Sequence, residues 1–216
     1  MRTAIALLTV AAAPAMADPS LGGPMSHLLV SVFQQQVFLS FESPSMSTVV
    51  MQEGDGFVGD ASVLNGTGYN AQFGWLANGF ISIPPGSGVF VREIVGSPWL
   101  SVYSEFGFDP ILGTAGSDPV WQWNGTMTHN WYATQVHGHH EVTYEVFVGD
   151  AGGNPLPGWT PGEITLAFDY GRERPVLGTD GSIDLGAWGA STRPAPAAGP
   201  LAALAIGGLV GTRRRR

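Results

Sequence analysis

The stretch His137–Asp150, HGHHEVTYEVFVGD, decides the fold. Its residues alternate: His140, Val142, Tyr144, Val146 and Val148 fall on one face of an extended chain, and His137, His139, Glu141, Thr143 and Glu145 on the other. A period of two, with β-branched and aromatic residues on one side, marks a strand that buries one face and wets the other. The same segment therefore predicts a piece of core and a row of polar side chains that carries two imidazoles and a carboxylate.

Outward from it, the same pattern recurs. Leu28 to Phe41 alternates on either side of Gln34-Gln35-Gln36, and Thr48 to Met51 is a shorter β-rich piece. Further strands are predicted over Gln72–Leu76, Phe80–Ile83, Val89–Val95, Leu100–Phe106, Val120–Trp123, Met127–Ala133 and Glu163–Tyr170. Clusters of Gly, Pro, Asn and Asp separate them. Asn65-Gly66, Asn78-Gly79 and Asn124-Gly125 each offer the positive φ that tight hairpins need. No window has a helical face, and no repeat has the period of a propeller or solenoid. The expectation is an all-β fold, a single-domain antiparallel β-sandwich or jelly roll.

Composition agrees with one well-packed domain. The 216 residues include seven Trp and eleven Phe, enough apolar bulk for one core, while 31 Gly and 16 Pro imply many turns. There is no cysteine, so no disulfide supports the fold and no thiol is available as a nucleophile. All nine basic residues are Arg; five of them, Arg2, Arg213, Arg214, Arg215 and Arg216, lie at the ends. The seventeen acidic residues all lie between Asp18 and Asp184, against four arginines in the body. Such a surface repels phosphate backbones and argues against nucleic acid as a partner.

The first 17 residues read as a secretory signal. Arg2 supplies the positive start, Ile5 to Ala13 a short apolar run, and Ala15-Met16-Ala17 a small-residue cleavage site, so that the mature chain begins at Asp18. Residues 18–179 then form the β body and 180–193 a linker, small and Pro-containing. At the far end, Pro194-Ala195-Pro196 precedes an apolar run, Ala197 to Gly211, and the cluster Arg213, Arg214, Arg215 and Arg216 closes the chain. Fifteen residues rising about 1.5 Å each reach ~22 Å as a helix, less than a ~30 Å hydrocarbon core. The arginines would stay on the cytoplasmic side and stop translocation, so the segment suits a transient membrane intermediate.

In that order, a Pro motif, an apolar segment and an Arg cluster resemble the PEP-CTERM sorting signal that exosortases recognise in Gram-negative bacteria. The resemblance covers residues 194–216, with Pro-Ala-Pro in place of Pro-Glu-Pro. It implies export with signal peptidase and an exosortase-type transpeptidase as partners, transient membrane insertion, cleavage near Pro194 to Pro196, and delivery to the outer surface or extracellular matrix. An ordinary C-terminal membrane anchor is the rival reading of the same tail.

Two sets of side chains in the body bear on chemistry. His-x-His on a strand presents two nitrogens to one side, so His137 and His139, with Glu141 and with His129 from a hairpin partner, are candidate ligands for Zn or Cu. A merely solvated polar face is the reading favoured over that one, and no cofactor is expected. Trp121 and Trp123 share a strand face and are candidate stacking platforms for the sugar rings of an exopolysaccharide. The Gly/Asp-rich stretch Glu53–Gly68 departs from the calcium-loop spacing and reads as a polar turn. No hydrolase or nucleotide motif is present, and no pair of carboxylates stands out for glycoside hydrolysis. The sequence thus favours a non-catalytic secreted surface or matrix protein. A carbohydrate- or metal-binding module and a secreted glycoside hydrolase are the alternatives.

Overall fold

The computed structural model describes residues 18–43, 47–171, 176–177 and 183–184. A first compact unit runs through Arg172 and a second begins at Glu173. The fold of the first is all-β. Its strands are β1 (Ser26–Phe33), β2 (Gln36–Phe41), β3 (Thr48–Val50), β4 (Gln52–Glu53), β5 (Gly68–Asn70), β6 (Phe73–Ile81), β7 (Gly88–Gly96), β8 (Leu100–Tyr103), β9 (Pro110–Ile111), β10 (Val120–Trp123), β11 (Thr128–His129), β12 (Trp131–Thr134), β13 (Gly138–Gly149) and β14 (Gly162–Tyr170). They form a four-stranded sheet of order β11-β6-β1-β2 and two five-stranded sheets, β10-β7-β13-β14-β3 and β4-β5-β12-β8-β9.

β13 holds the centre, as its alternation predicts. It pairs antiparallel with β7 on one side and β14 on the other, and its inward residues Val142, Tyr144, Val146 and Val148 are buried. Leu28, Val30 and Val32 of β1 and Leu166 and Phe168 of β14 share that core. Aromatic edges lock the layers: Phe73 meets Phe168 at 5.4 Å and Trp75 meets Tyr144 at 6.0 Å between ring centroids, both T-shaped. β12 is buried on both faces. Tyr132 packs into the main core against Phe168, while Trp131 and Ala133 face a smaller cluster with Phe57, Leu64 and Tyr69.

The arrangement is sandwich-like but not wholly antiparallel: β1 pairs with β6, and β14 with β3, in parallel. The Asn-Gly pairs have positive φ at glycine but close no tight hairpins. Gly79 lies inside β6, where the register with β1 shifts, so Gln72–Leu76 and Phe80–Ile83 belong to one bulged strand. Asn124-Gly125 instead carries the chain from β10 in one sheet to β11 in another. The hairpin turn that does occur, Gln34-Gln35 between β1 and β2, uses two non-glycine residues at φ 49° and 61°. In the 53–68 stretch the chain makes a 3-10 turn over Gly59–Leu64. Asn65 returns its amide to both backbone groups of Phe57, at 2.9 Å each.

In the second unit, β15 (Val176–Leu177) pairs antiparallel with β16 (Ile183–Asp184), so part of the 180–193 stretch read as a linker is a strand. The signal segment with Ala15 and Ala17 lies outside the described residues, as do the motif Pro194, Ala195 and Pro196 and the terminal cluster Arg213, Arg214, Arg215 and Arg216.

Candidate functional site

β10 and the chain that follows it build one wall of a cleft of about 190 Å³; the loop after β8 builds the other. Trp121, Gln122 and Thr128 line the first wall, Glu105 and Phe106 the second, and Asn130 the floor. Surroundings separate the two candidate platform tryptophans by depth, although alternation puts them on one strand face. Trp121 is half-buried in the cleft wall, its ring 6.3 Å from that of Trp75, whereas Trp123 is 2% exposed and spends its indole N–H on the carbonyl of Thr126 at 2.7 Å. Of the two, Trp121 is the one that can meet a ligand.

The polar groups of the cleft carry the chemistry. Asn130 is fully buried, and neither its amide oxygen nor its amide nitrogen has a hydrogen-bond partner; the same holds for one carboxylate oxygen, Oε2, of Glu105. A buried unpaired polar atom costs about 1–3 kcal/mol, so three of them beside one cleft mark a place where a polar partner would be stabilising. Glu105 is fixed through its backbone, whose carbonyl accepts from the indole of Trp131 at 3.2 Å. At the mouth, Asn124 Oδ1 accepts from the backbone N–H and hydroxyl of Thr126, which rigidifies the turn between the sheets. An aromatic wall, a carboxamide with donor and acceptor free, and one carboxylate suit the hydroxyl groups and apolar ring face of a sugar. Asn130 was not singled out in the sequence, because the pattern merges Met127–Ala133 into one strand, in which a lone Asn carries no signal of its own.

The candidate metal ligands do not assemble as expected. His129 is not on a hairpin partner of β13: β11 pairs with β6 in the four-stranded sheet, and His129 is buried there beside Gly74. His137 is exposed in the turn before β13, with its ring 4.3 Å from that of Tyr170. His139 lies between two carboxylates, Nδ1 at 2.7 Å from Asp169 on β14 and Nε2 at 3.1 Å from Glu141. Those hydrogen bonds, to Asp169 first and Glu141 second, raise its pKa and favour the imidazolium, in which both nitrogens donate and neither has a lone pair to offer. His140, on the core side, is also satisfied. Its Nε2–H donates to the Val136 carbonyl at 2.7 Å and its Nδ1 accepts from Ser97 at 2.9 Å. Beyond His139, the outer face of β13 continues as cross-strand pairs, Thr143 with Thr165 and Glu145 with Arg92. Among the described residues, no group of three or more His, Asp or Glu side chains is placed to hold a metal ion.

Compared with known protein families and with curated proteins, the chain finds no match.

Proposed function

We propose that this chain is a non-catalytic protein of the bacterial surface or extracellular matrix whose β body holds a saccharide unit in the cleft beneath Trp121. The observation that carries the reading is the unpaired Asn130 amide at the floor of a cleft with an aromatic wall. Glu105 is the single acid among the cleft residues. Hydrolysis of a glycosidic bond by the usual route needs two carboxylates flanking it, so the arrangement favours holding a sugar over cutting it. Export and sorting are supported by the signal segment ending at Ala17 and by the Pro-Ala-Pro, apolar and Arg order of the tail. The surplus of acidic groups in the body suits a solvated extracellular protein.

The test is a panel of oligosaccharides prepared from bacterial exopolysaccharides, titrated calorimetrically into the protein. Binding by the wild type is expected, with Trp121→Ala and Asn130→Ala each weakening it at least about tenfold, equivalent to ~1.4 kcal/mol. Trp99→Ala, which alters an exposed tryptophan outside the cleft, should leave affinity unchanged. A panel with no binder, or one bound equally by the Trp121 variant, would sink the cleft as the site.

A further inference from the structure

A second feature with unpaired polar atoms lies on the four-stranded sheet, on the face opposite Leu28, Phe73 and Trp75. One row of residues crosses all its strands. His129 of β11 sits opposite Gly74 of β6, Gly74 opposite His27 of β1, and Glu42, just past the end of β2, bonds its backbone N–H to the His27 carbonyl at 2.9 Å. Side chains of one row project from the same face. Leu28, Phe73 and Trp75 point into the core on one face, so His27, Gly74 and His129 share the opposite face, where His129 and Gly74 are also buried. Gly74 makes the arrangement fit, because a Cβ there would overlap Nε2 of the His129 ring that lies over it. The His129 ring fills the space that a side chain on Gly74 would take, and it meets the His27 ring with centroids 5.7 Å apart and planes at 66°.

The hydrogen bonds fix which nitrogen is free. Nδ1 of His129 lies 2.8 Å from the carbonyl of Ala71, which can only accept, so Nδ1 carries the proton. Nδ1 of His27 lies 2.5 Å from a carboxylate oxygen of Glu42 and likewise donates. In the neutral form of each ring the remaining nitrogen, Nε2, is a bare lone pair, and that is the form a cation would select. Both Nε2 atoms are buried and have no hydrogen-bond partner. The two nitrogens of an imidazole face nearly opposite ways, so with Nδ1 turned to Glu42, Nε2 of His27 faces back toward Gly74 and His129.

An imidazole whose N–H is held by a carbonyl or carboxylate while its other nitrogen waits in a shielded space is the arrangement of a metal-ligating histidine. The geometry points to a two-nitrogen metal site formed by His27 and His129 over Gly74, suited to monovalent copper. Imidazole nitrogens suit copper and zinc alike, but zinc takes four ligands, and the described residues offer no third His, Asp or Glu in place. Two nitrogens complete the coordination of Cu⁺, and a single charge is less costly to bury than a double one. His27, with its side chain 16% exposed beside the exposed Glu42, is the entry side.

The untagged protein, stripped with a chelator, is titrated with Cu⁺ under ascorbate against a bathocuproine competitor, and separately dialysed against Zn²⁺. One equivalent of Cu⁺ per chain is expected. Binding should weaken at least tenfold in His27→Gln and in His129→Gln and stay at wild-type strength in the double change His137→Gln/His139→Gln. Should the buried His129→Gln variant fail to fold, His27→Gln and X-ray absorption of the copper-loaded wild type, read for two imidazole nitrogens, still decide the matter. Absence of stoichiometric Cu⁺, preference for Zn²⁺, or copper lost with His137 and His139 instead of His27 would each overturn the assignment.

Discussion

His139 is the residue whose environment makes the clearest pH signature. Its pKa is raised by the hydrogen bond to Asp169 and then by that to Glu141, so the folded protein holds its proton to higher pH than the unfolded chain does. The stabilisation is fully present below the unfolded value of about 6.5, while the carboxylates remain ionised, and is lost as the pH rises through the folded value. His139→Gln should therefore lower Tm at about pH 5.5 and converge on the wild type as the pH climbs well above ~6.5. A deficit independent of pH would show that the imidazolium clamp contributes nothing. At the alkaline end, burial pushes the phenols of Tyr132 and Tyr144 upward, and both rings sit fully enclosed in the core. Two of the five tyrosines should give phenolate absorbance only together with unfolding. A titration in which all five ionise while the fold persists would contradict the packing around them.

At the scale of elements, the β13–β14 pair carries the core, and Leu166 shows how much. It is fully buried in register with Val142, so Leu166→Ala should cost about 2–5 kcal/mol of stability through lost burial and the cavity left behind. Urea unfolding reads this directly, and a loss under ~1 kcal/mol would mean that the layers collapse onto the gap. Strands with this clean alternation were legible in the sequence, since period two survives wherever one face is wet: β13, β14, β7, β10 and the β1–β2 hairpin fall where the pattern places them. The misses have a common cause. β5 and β12 are buried on both faces, so Gly68–Asn70 shows no alternation and Trp131–Thr134 merges with β11 in the sequence pattern. Asn78-Gly79 carries the local signature of a turn, yet long-range pairing with β1 absorbs it as a bulge. The candidate site was half legible for the same reason. Alternation put Trp121 and Trp123 on one face but could not say that the sheet covers Trp123 and leaves Trp121 at a cleft, nor that the floor would be Asn130.

For the whole molecule, the ends of the chain and the body make separable demands. The body ties itself down almost from Asp18 onward: Ser20 Oγ donates to Gln52, the Leu21 carbonyl accepts from the Ala71 N–H, and the Pro24 carbonyl accepts from the Gln72 amide. A signal peptidase cut after Ala17 leaves all three contacts intact, whereas a cut a few residues later would remove the first two. At the other end, the first compact unit closes by Arg172, and the proposed cleavage at Pro194–Pro196 falls more than twenty residues beyond it in the sequence. Processing at both ends should then leave the fold's thermal transition unmoved, because the strands and core of the first unit lie between Ser26 and Tyr170. Intact mass and terminal peptides of the protein recovered from envelope and extracellular fractions should read a start at Asp18 and an end near Pro196, with Tm equal to that of the unprocessed chain. A C-terminus retained through Arg214, Arg215 and Arg216 would turn the arginines from a stop used once into a permanent cytoplasmic anchor, and the cleft proposed to hold a saccharide would then act at the membrane rather than in the matrix.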